Sequence, residues 1–114
     1  MEIQRINPRE WNCQATVFGD LIFCSGMVAD DKTLDMKAQT AQVLKKIDAV
    51  LARAGTNKSR ILSATVYIAD ASLKDDMNEA WMAWVDHANL PTRTAVGAVL
   101  TPGTKVEITV FVAK

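Results

Sequence analysis

Histidine and cysteine are scarce: the 114 residues hold one histidine, His87, and two cysteines, Cys13 and Cys24. A single histidine and two separated thiols lack the spacing of a zinc site, so no metal is expected. Two cysteines do not make a disulfide framework, and neither has a basic or histidine neighbour in sequence. They read as small core hydrophobes. No serine can be tied to a histidine and an acid, which argues against a covalent triad. Neither phosphate-cradling glycine pattern, G-x-x-x-x-G-K-[ST] or G-x-G-x-x-G, occurs. Charge of one sign is also missing, since 13 basic residues balance 13 acidic ones. That balance gives no electrostatic reason to expect nucleic acid or an anionic membrane as partner. No apolar run approaches the roughly 20 residues that cross a bilayer. The N-terminus lacks the basic-then-apolar layout of a signal peptide, so a cytoplasmic location is expected.

What remains is ordinary globular material, 49% hydrophobic and 23% charged. The length suits one domain, residues 1–114, large enough to fold on its own core. Residues 1–6 read as an edge strand limited by Pro8. Residues 15–18 and 21–25 read as a hairpin turning at Gly19-Asp20. A helix is predicted from an N-cap at Thr33, with Asp35 in its first turn. Its apolar stripe runs through Met36, Val43, Leu44, Ile47, Val50 and Leu51 to a stop at Gly55. Residues 62–69 alternate, with Leu62, Ala64, Val66 and Ile68 on one face.

A second helix follows, with Asp70 and Ser72 as candidate caps and Ser72 with Asp75 resembling a capping box. Met77, Trp81, Trp84, Val85 and Ala88 form its buried stripe. His87 falls near its end, where the helix dipole favours a cation more simply than a catalytic role would. Pro91 ends it. Strands at 94–100 and 106–113 flank a Pro102-Gly103 turn. The order βββαβαββ makes two helices covering one face of a single mixed sheet. The other face, bearing Thr65, Tyr67, Thr109 and Phe111, is left open, which points to association.

Residues 91–108 carry the chemistry. Arg93 stands at the lip of a strand, and guanidinium is the side chain best shaped to grip a carboxylate. Glu107 lies between Val106 and Ile108, so it turns outward or has a task. Ser25-Gly26 follows a strand and permits close approach to backbone, although an ordinary turn accounts for it equally well. By itself Arg93 reads as readily as half of a structural ion pair.

The blocks P-T-R-T-A-V-G at 91–97, K-V-E-I at 105–108 and F-G-D-L-I-F-C-S-G at 18–26 resemble the Rid (YjgF) family of reactive-intermediate deaminases. The resemblance implies a chorismate-mutase-like α+β fold and a barrel-like homotrimer with clefts between subunits. It implies hydrolysis of 2-imino acids and their enamine tautomers to 2-keto acids and ammonia, without a cofactor. It places the carboxylate-binding arginine at Arg93 and the water-associated glutamate at Glu107. Ser25 and Gly26 fall on the pair that approaches the ligand, and Asn78 on a helix asparagine. Ala95 stands where the family often has cysteine and contributes backbone. Asn12, beside Trp11, replaces a tyrosine of the best-known subgroup, which leaves substrate choice open. A non-catalytic 2-keto-acid binder and an RNA-directed protein are the competing readings. Neutral charge and the lack of a histidine pair weigh against RNA.

Overall fold

The sheet is built around its last strand. In the computed structural model, which describes Met1–Lys114, seven strands and two α-helices follow one another as β1 (Ile3–Pro8), β2 (Cys13–Phe18), β3 (Leu21–Cys24), β4 (Met27–Val28), α1 (Met36–Arg53), β5 (Ile61–Ile68), α2 (Lys74–Trp84), β6 (Thr92–Gly97) and β7 (Val106–Ala113). The strands lie in the order β1-β2-β3-β7-β5-β6, with β4 also on β7. Only β5 and β6 run parallel, joined across α2; every other pair is antiparallel. This is the mixed sheet of the sequence reading, with the two-residue β4 as an addition.

Strands β2, β3, β5 and β7 alternate. Ile22, Ala64, Val66, Ile68, Val106, Ile108, Val110 and Val112 are buried beneath the helices with Val43, Leu44, Ile47, Leu51 and Met77. The opposite face keeps Phe23 and Phe111 40% and 46% exposed, edge-to-face at 5.1 Å. The register places Thr65 and Tyr67 beside Thr109 and Glu107 on that open face.

Local chemistry sets the boundaries. Gly19, at φ +61°, supplies the left-handed first position of the β2–β3 turn. The cap of α1 is Asp35, not Thr33: its carboxylate accepts from the Ala38 N–H at 2.9 Å. Thr33 is instead held by Asp31, which accepts both its N–H and its hydroxyl. At the other end Thr56 N–H donates to Leu51 O and Gly55 N–H to Ala52 O. Gly55 has φ +81°, so it closes the helix as expected.

Four further expectations need correction. Ser72 does not cap α2; its N–H and hydroxyl both donate to Asp70, closing a 3₁₀ turn before Lys74. Ile61 rather than Leu62 enters the core, because a bulge beside Ser63 shifts the register and leaves Leu62 exposed. The β6 strand starts at Thr92 and ends at Gly97. α2 ends at Trp84, so Ala88 and His87 lie in the loop beyond, both exposed.

Candidate functional site

Arg93 is the second residue of β6, in register with buried Ala64 of β5, so it points to the helix-covered face. Its guanidinium lies 5.2 Å from the Trp81 ring centre, a cation–π distance. Its Nη1 donates to the Met77 sulfur at 3.8 Å. Met77 and Trp81 stand one turn apart on α2, so a single helical face forms the cradle. The chain's ion pairs are Lys37–Glu79 and Lys46–Asp30; no carboxylate reaches Arg93. Burial pulls the Arg93 guanidinium below its ordinary value, the direction expected for a cation partly withdrawn from water.

The guanidinium opens into a cavity of about 490 Å³ lined also by Asn78, Trp81, Met82, Val85, His87, Leu90 and Pro91. Asn78 Oδ1 is buried there with no hydrogen-bond partner. A buried orphan acceptor beside an unpaired cation is costly unless something polar fills the space between them. Ala95, two residues on from Arg93, faces the same way and packs on the core.

Glu107 sits elsewhere. It is in register with Tyr67 of β5 and Val28 of β4, on the open face. Phe23 pairs with Phe111, whereas Met27 pairs with Ile108, so the chain between them has one residue more than β7 opposite. That bulge sets Gly26 against the Glu107 carboxylate: a Cβ on Gly26 would lie 2.3 Å from Oε2. Ser25 fixes the bulge, its hydroxyl donating to Cys13 O at 2.6 Å and its N–H to Gln14 O at 2.9 Å. Thr109 donates to Cys24 O from the other side. The Gly26 N–H makes no backbone hydrogen bond. Asn12 lies in the β1–β2 turn just before Cys13, its carbonyl accepting from Arg9 N–H. Trp11 beside it is 84% exposed.

One chain therefore brings the expected residues together as two groups. Arg93, Asn78 and Ala95 form one beneath α2; Glu107, Ser25 and Gly26 form the other on the open face, with Asn12 and Trp11 in the turn before β2. Strand β5 intervenes. Tyr67 neighbours both Glu107 and Val96, so β6 lies roughly 10 Å from Glu107, and Arg93 is roughly 10 Å further along it. Their side chains leave opposite faces of the sheet. The sequence reading named the members of both groups without separating them, and it missed the Met77–Trp81 cradle and the bulge. Met77 and Trp81 read as core stripe, and only the register reveals that the stripe ends on Arg93. Burial pushes the Cys24 thiol up to about 11, consistent with an inert core cysteine.

These features define a two-layer α+β domain with an unpaired cation held under one helix and a carboxylate held at a bulge. The model of the family described as Endoribonuclease L-PSP matches residues 2–114, and the chain belongs to that family, also named Rid or YjgF. A RutC family protein of Haemophilus ducreyi is 40% identical over 112 residues, 97% of this chain and 96% of its own. The RutC family protein YoaB of Escherichia coli K12 is 38% identical over 114 residues, 99% of each. Among solved structures, NMB1025 of Neisseria meningitidis, a YjgF family member, superposes with a TM-score of 0.97 at 36% identity. It covers 100% of this chain and 96% of its own. YyfA of Yersinia pestis, from the Rid family, has a TM-score of 0.91 at 28% identity, over 99% of this chain and 100% of its own.

Proposed function

We propose that this protein hydrolyses reactive 2-imino acids, and their enamine tautomers, to 2-keto acids and ammonia. The observation that carries the reading is Arg93, a partly desolvated guanidinium with no acidic partner, opening into a cavity beside the orphaned Asn78 oxygen. Such a group is suited to receiving a carboxylate. Because Glu107 leaves the opposite face, the proposed site lies between copies of the chain, in a homotrimer. One copy contributes Arg93, Asn78 and Ala95; its neighbour contributes Glu107, Ser25, Gly26 and the Trp11-Asn12 turn. The open face carries Phe23 and Phe111, apolar area suited to such association.

The chemistry then follows. Arg93 fixes the substrate carboxylate through two charge-assisted bonds. A protonated imine is already electrophilic, so holding water against its carbon supplies most of the acceleration. Glu107 takes a proton as the water oxygen bonds to that carbon and gives the tetrahedral amino-alcohol. Glu107 returns the proton to nitrogen, then takes the hydroxyl proton as the C–N bond breaks and the C=O forms, and passes it to the departing ammonia, which leaves as ammonium. The Gly26 N–H is free to donate to a ligand oxygen. Ser25 already donates its hydroxyl to Cys13 O, which supports a positioning role rather than a nucleophilic one. RNA cleavage, which the family description names, finds less support. The only histidine, His87, has no histidine partner and is bound through Nε2 to Met82 O.

Freshly generated 2-iminopropanoate, with ammonia release read against solvent hydrolysis, tests the proposal. Arg93→Ala and Glu107→Gln are each expected to lower the rate on the order of 100-fold or more. Co-refolded in equal amounts, the two variants should regain about one quarter of wild-type activity, the chance that a shared site draws both intact residues. No recovery would rule out a site shared between copies. Pyruvate binding without turnover in the wild type would make the protein a keto-acid binder instead.

A further inference from the structure

We propose that the cavity between the β1–β2 hairpin and the second half of α1 binds a small phosphomonoester, and that its occupation steadies Glu107; the second clause rests on the deaminase reading above. The cavity holds about 200 Å³ and is lined by Asn7, Gln14, Lys46, Ala49, Val50 and Arg53. Two of these side chains are cations, two are amides able to donate, and none is a carboxylate. Arg53 takes part in neither ion pair of the chain. Lys46 Nζ donates to Val28 O and to Asp30 Oδ1, each at 2.8 Å, which leaves one of its three N–H bonds free. Asp30 pairs with Lys46 but does not line the cavity. A phosphomonoester carries about −1.5 to −2 charge and three terminal oxygens. A guanidinium fork, one ammonium N–H and two amides match that charge and those acceptors, whereas a monocarboxylate leaves one cation uncompensated. Room for about seven waters exceeds the phosphate group, so a short polar body fits with it. The carbonyl end of α1 opposes an anion. Its Val50, Leu51 and Ala52 carbonyls already accept from Ala54, Thr56 and Gly55, and two full cations outweigh a dipole end of about half a charge.

Two hydrogen bonds tie this cavity to Glu107. Lys46 holds Val28 O, and Val28 of β4 is the cross-strand partner of Glu107. Gln14 O accepts the Ser25 N–H at 2.9 Å, and Ser25-Gly26 is the bulge set against the Glu107 carboxylate. An anion on the free Lys46 N–H and the Gln14 amide immobilises both residues, and with them β4 and the bulge. Arg93 stands on β6, at the sheet edge opposite β1 and β2. Occupation therefore raises kcat, where Glu107 works, and leaves KM, set by the carboxylate grip of Arg93, unmoved.

The test pairs calorimetry with kinetics. Glycerol 3-phosphate and inorganic phosphate are titrated separately into the protein in a phosphate-free buffer, and 2-iminopropanoate turnover is followed at each concentration. One ester per chain is expected, with a Kd on the order of 1 mM or below and tighter than inorganic phosphate. It should raise kcat about 5-fold, the lower end of ordinary coupling between sites. Arg53→Gln, at an exposed position, should weaken the ester about 10-fold or more. Asn7→Asp puts a carboxylate into the cavity on a backbone of φ +51° that aspartate also tolerates, and should weaken it at least as much. No saturable binding, or binding that neither variant weakens, overturns the site. Inorganic phosphate bound as tightly as the ester overturns the ester and makes the free ion the occupant. A higher KM with no rise in kcat places the ester at Arg93 and overturns the site as well. Binding that both variants weaken, with kcat and KM unmoved, overturns the link to Glu107 alone. Inactivity on every imine overturns the deaminase reading, while the calorimetry still decides the site.

Discussion

Gly26→Ala separates the position of Glu107 from its presence. The backbone at Gly26 is outside the left-handed region, so alanine meets no conformational penalty there. The obstacle is the Glu107 side chain: a Cβ would stand 2.3 Å from Oε2, 3.2 Å from Cδ and 3.3 Å from Cγ. Those atoms are the far end of a flexible chain on an open face, so the carboxylate gives way and the sheet does not. An off-rotamer side chain costs about 0.5–1.5 kcal/mol. Replacing glycine by alanine stabilises by about 0.4–1 kcal/mol through the unfolded chain. The two nearly cancel, and the urea midpoint should barely move. Activity should not survive as well. A carboxylate displaced by about 1 Å from a bound water is expected to cost on the order of 100-fold in kcat. Ammonia release from 2-iminopropanoate reads this directly. Adding Glu107→Gln to Gly26→Ala should then cost little more, because both changes remove one function. Full activity in Gly26→Ala would refute the role given to Glu107.

Two further outcomes concern the scaffold. Gln39 is fully buried, donating to Gly103 O, Leu34 O and Lys32 O and accepting from Lys105 N–H, so it ties α1 to the loop that leads into β7. Gln39→Leu should lower unfolding free energy by about 3 kcal/mol, read by urea titration, because the loop's polar groups lose their partners. Asp86 accepts from Asn89, from the Ser59 hydroxyl and from Ala88 N–H, which hold its carboxyl down at about 2. A depressed carboxyl stabilises the fold above its unfolded value and loses that contribution as pH falls toward 2. Asp86→Asn should therefore flatten the acid limb of the stability curve between about pH 4 and pH 2 and leave its neutral part parallel.

Much of the fold was legible because its signals are periodic. The α1 stripe, the alternation of β7 and the Gly19-Asp20 hairpin each state a period and a stop. The misread positions are those where side chains compete for the same backbone groups. Asp31 takes Thr33 and Asp70 takes Ser72, so two apparent caps are consumed one or two residues before the N-caps of their helices. Leu62 fails for a different reason: a bulge changes parity without changing composition, and strict alternation carries the error to Ile61. The added residue at Ser25-Gly26 is the same kind of event, visible only once Phe23 and Met27 are both paired to β7.

The site was legible in its members and not in its grouping. Alternation assigns Glu107 a face of β7 and residue order puts Arg93 at the start of β6, but neither says that β5 stands between them. The register supplies that fact and makes association part of the proposed chemistry. Arg93 already sits where burial opposes its charge. A second copy closing over it would deepen that penalty, and a substrate carboxylate is the group that offsets it. Ligand bound at such a shared site stabilises the assembly by mass action, so substrate and neighbour should each tighten the other's hold. On the proposed mechanism, a separated chain, in which Glu107 and Arg93 point apart on one sheet, would be unable to close water onto a bound imine. Dilution below the dissociation constant of the assembly should then abolish turnover while the far-ultraviolet spectrum of the chain stays the same.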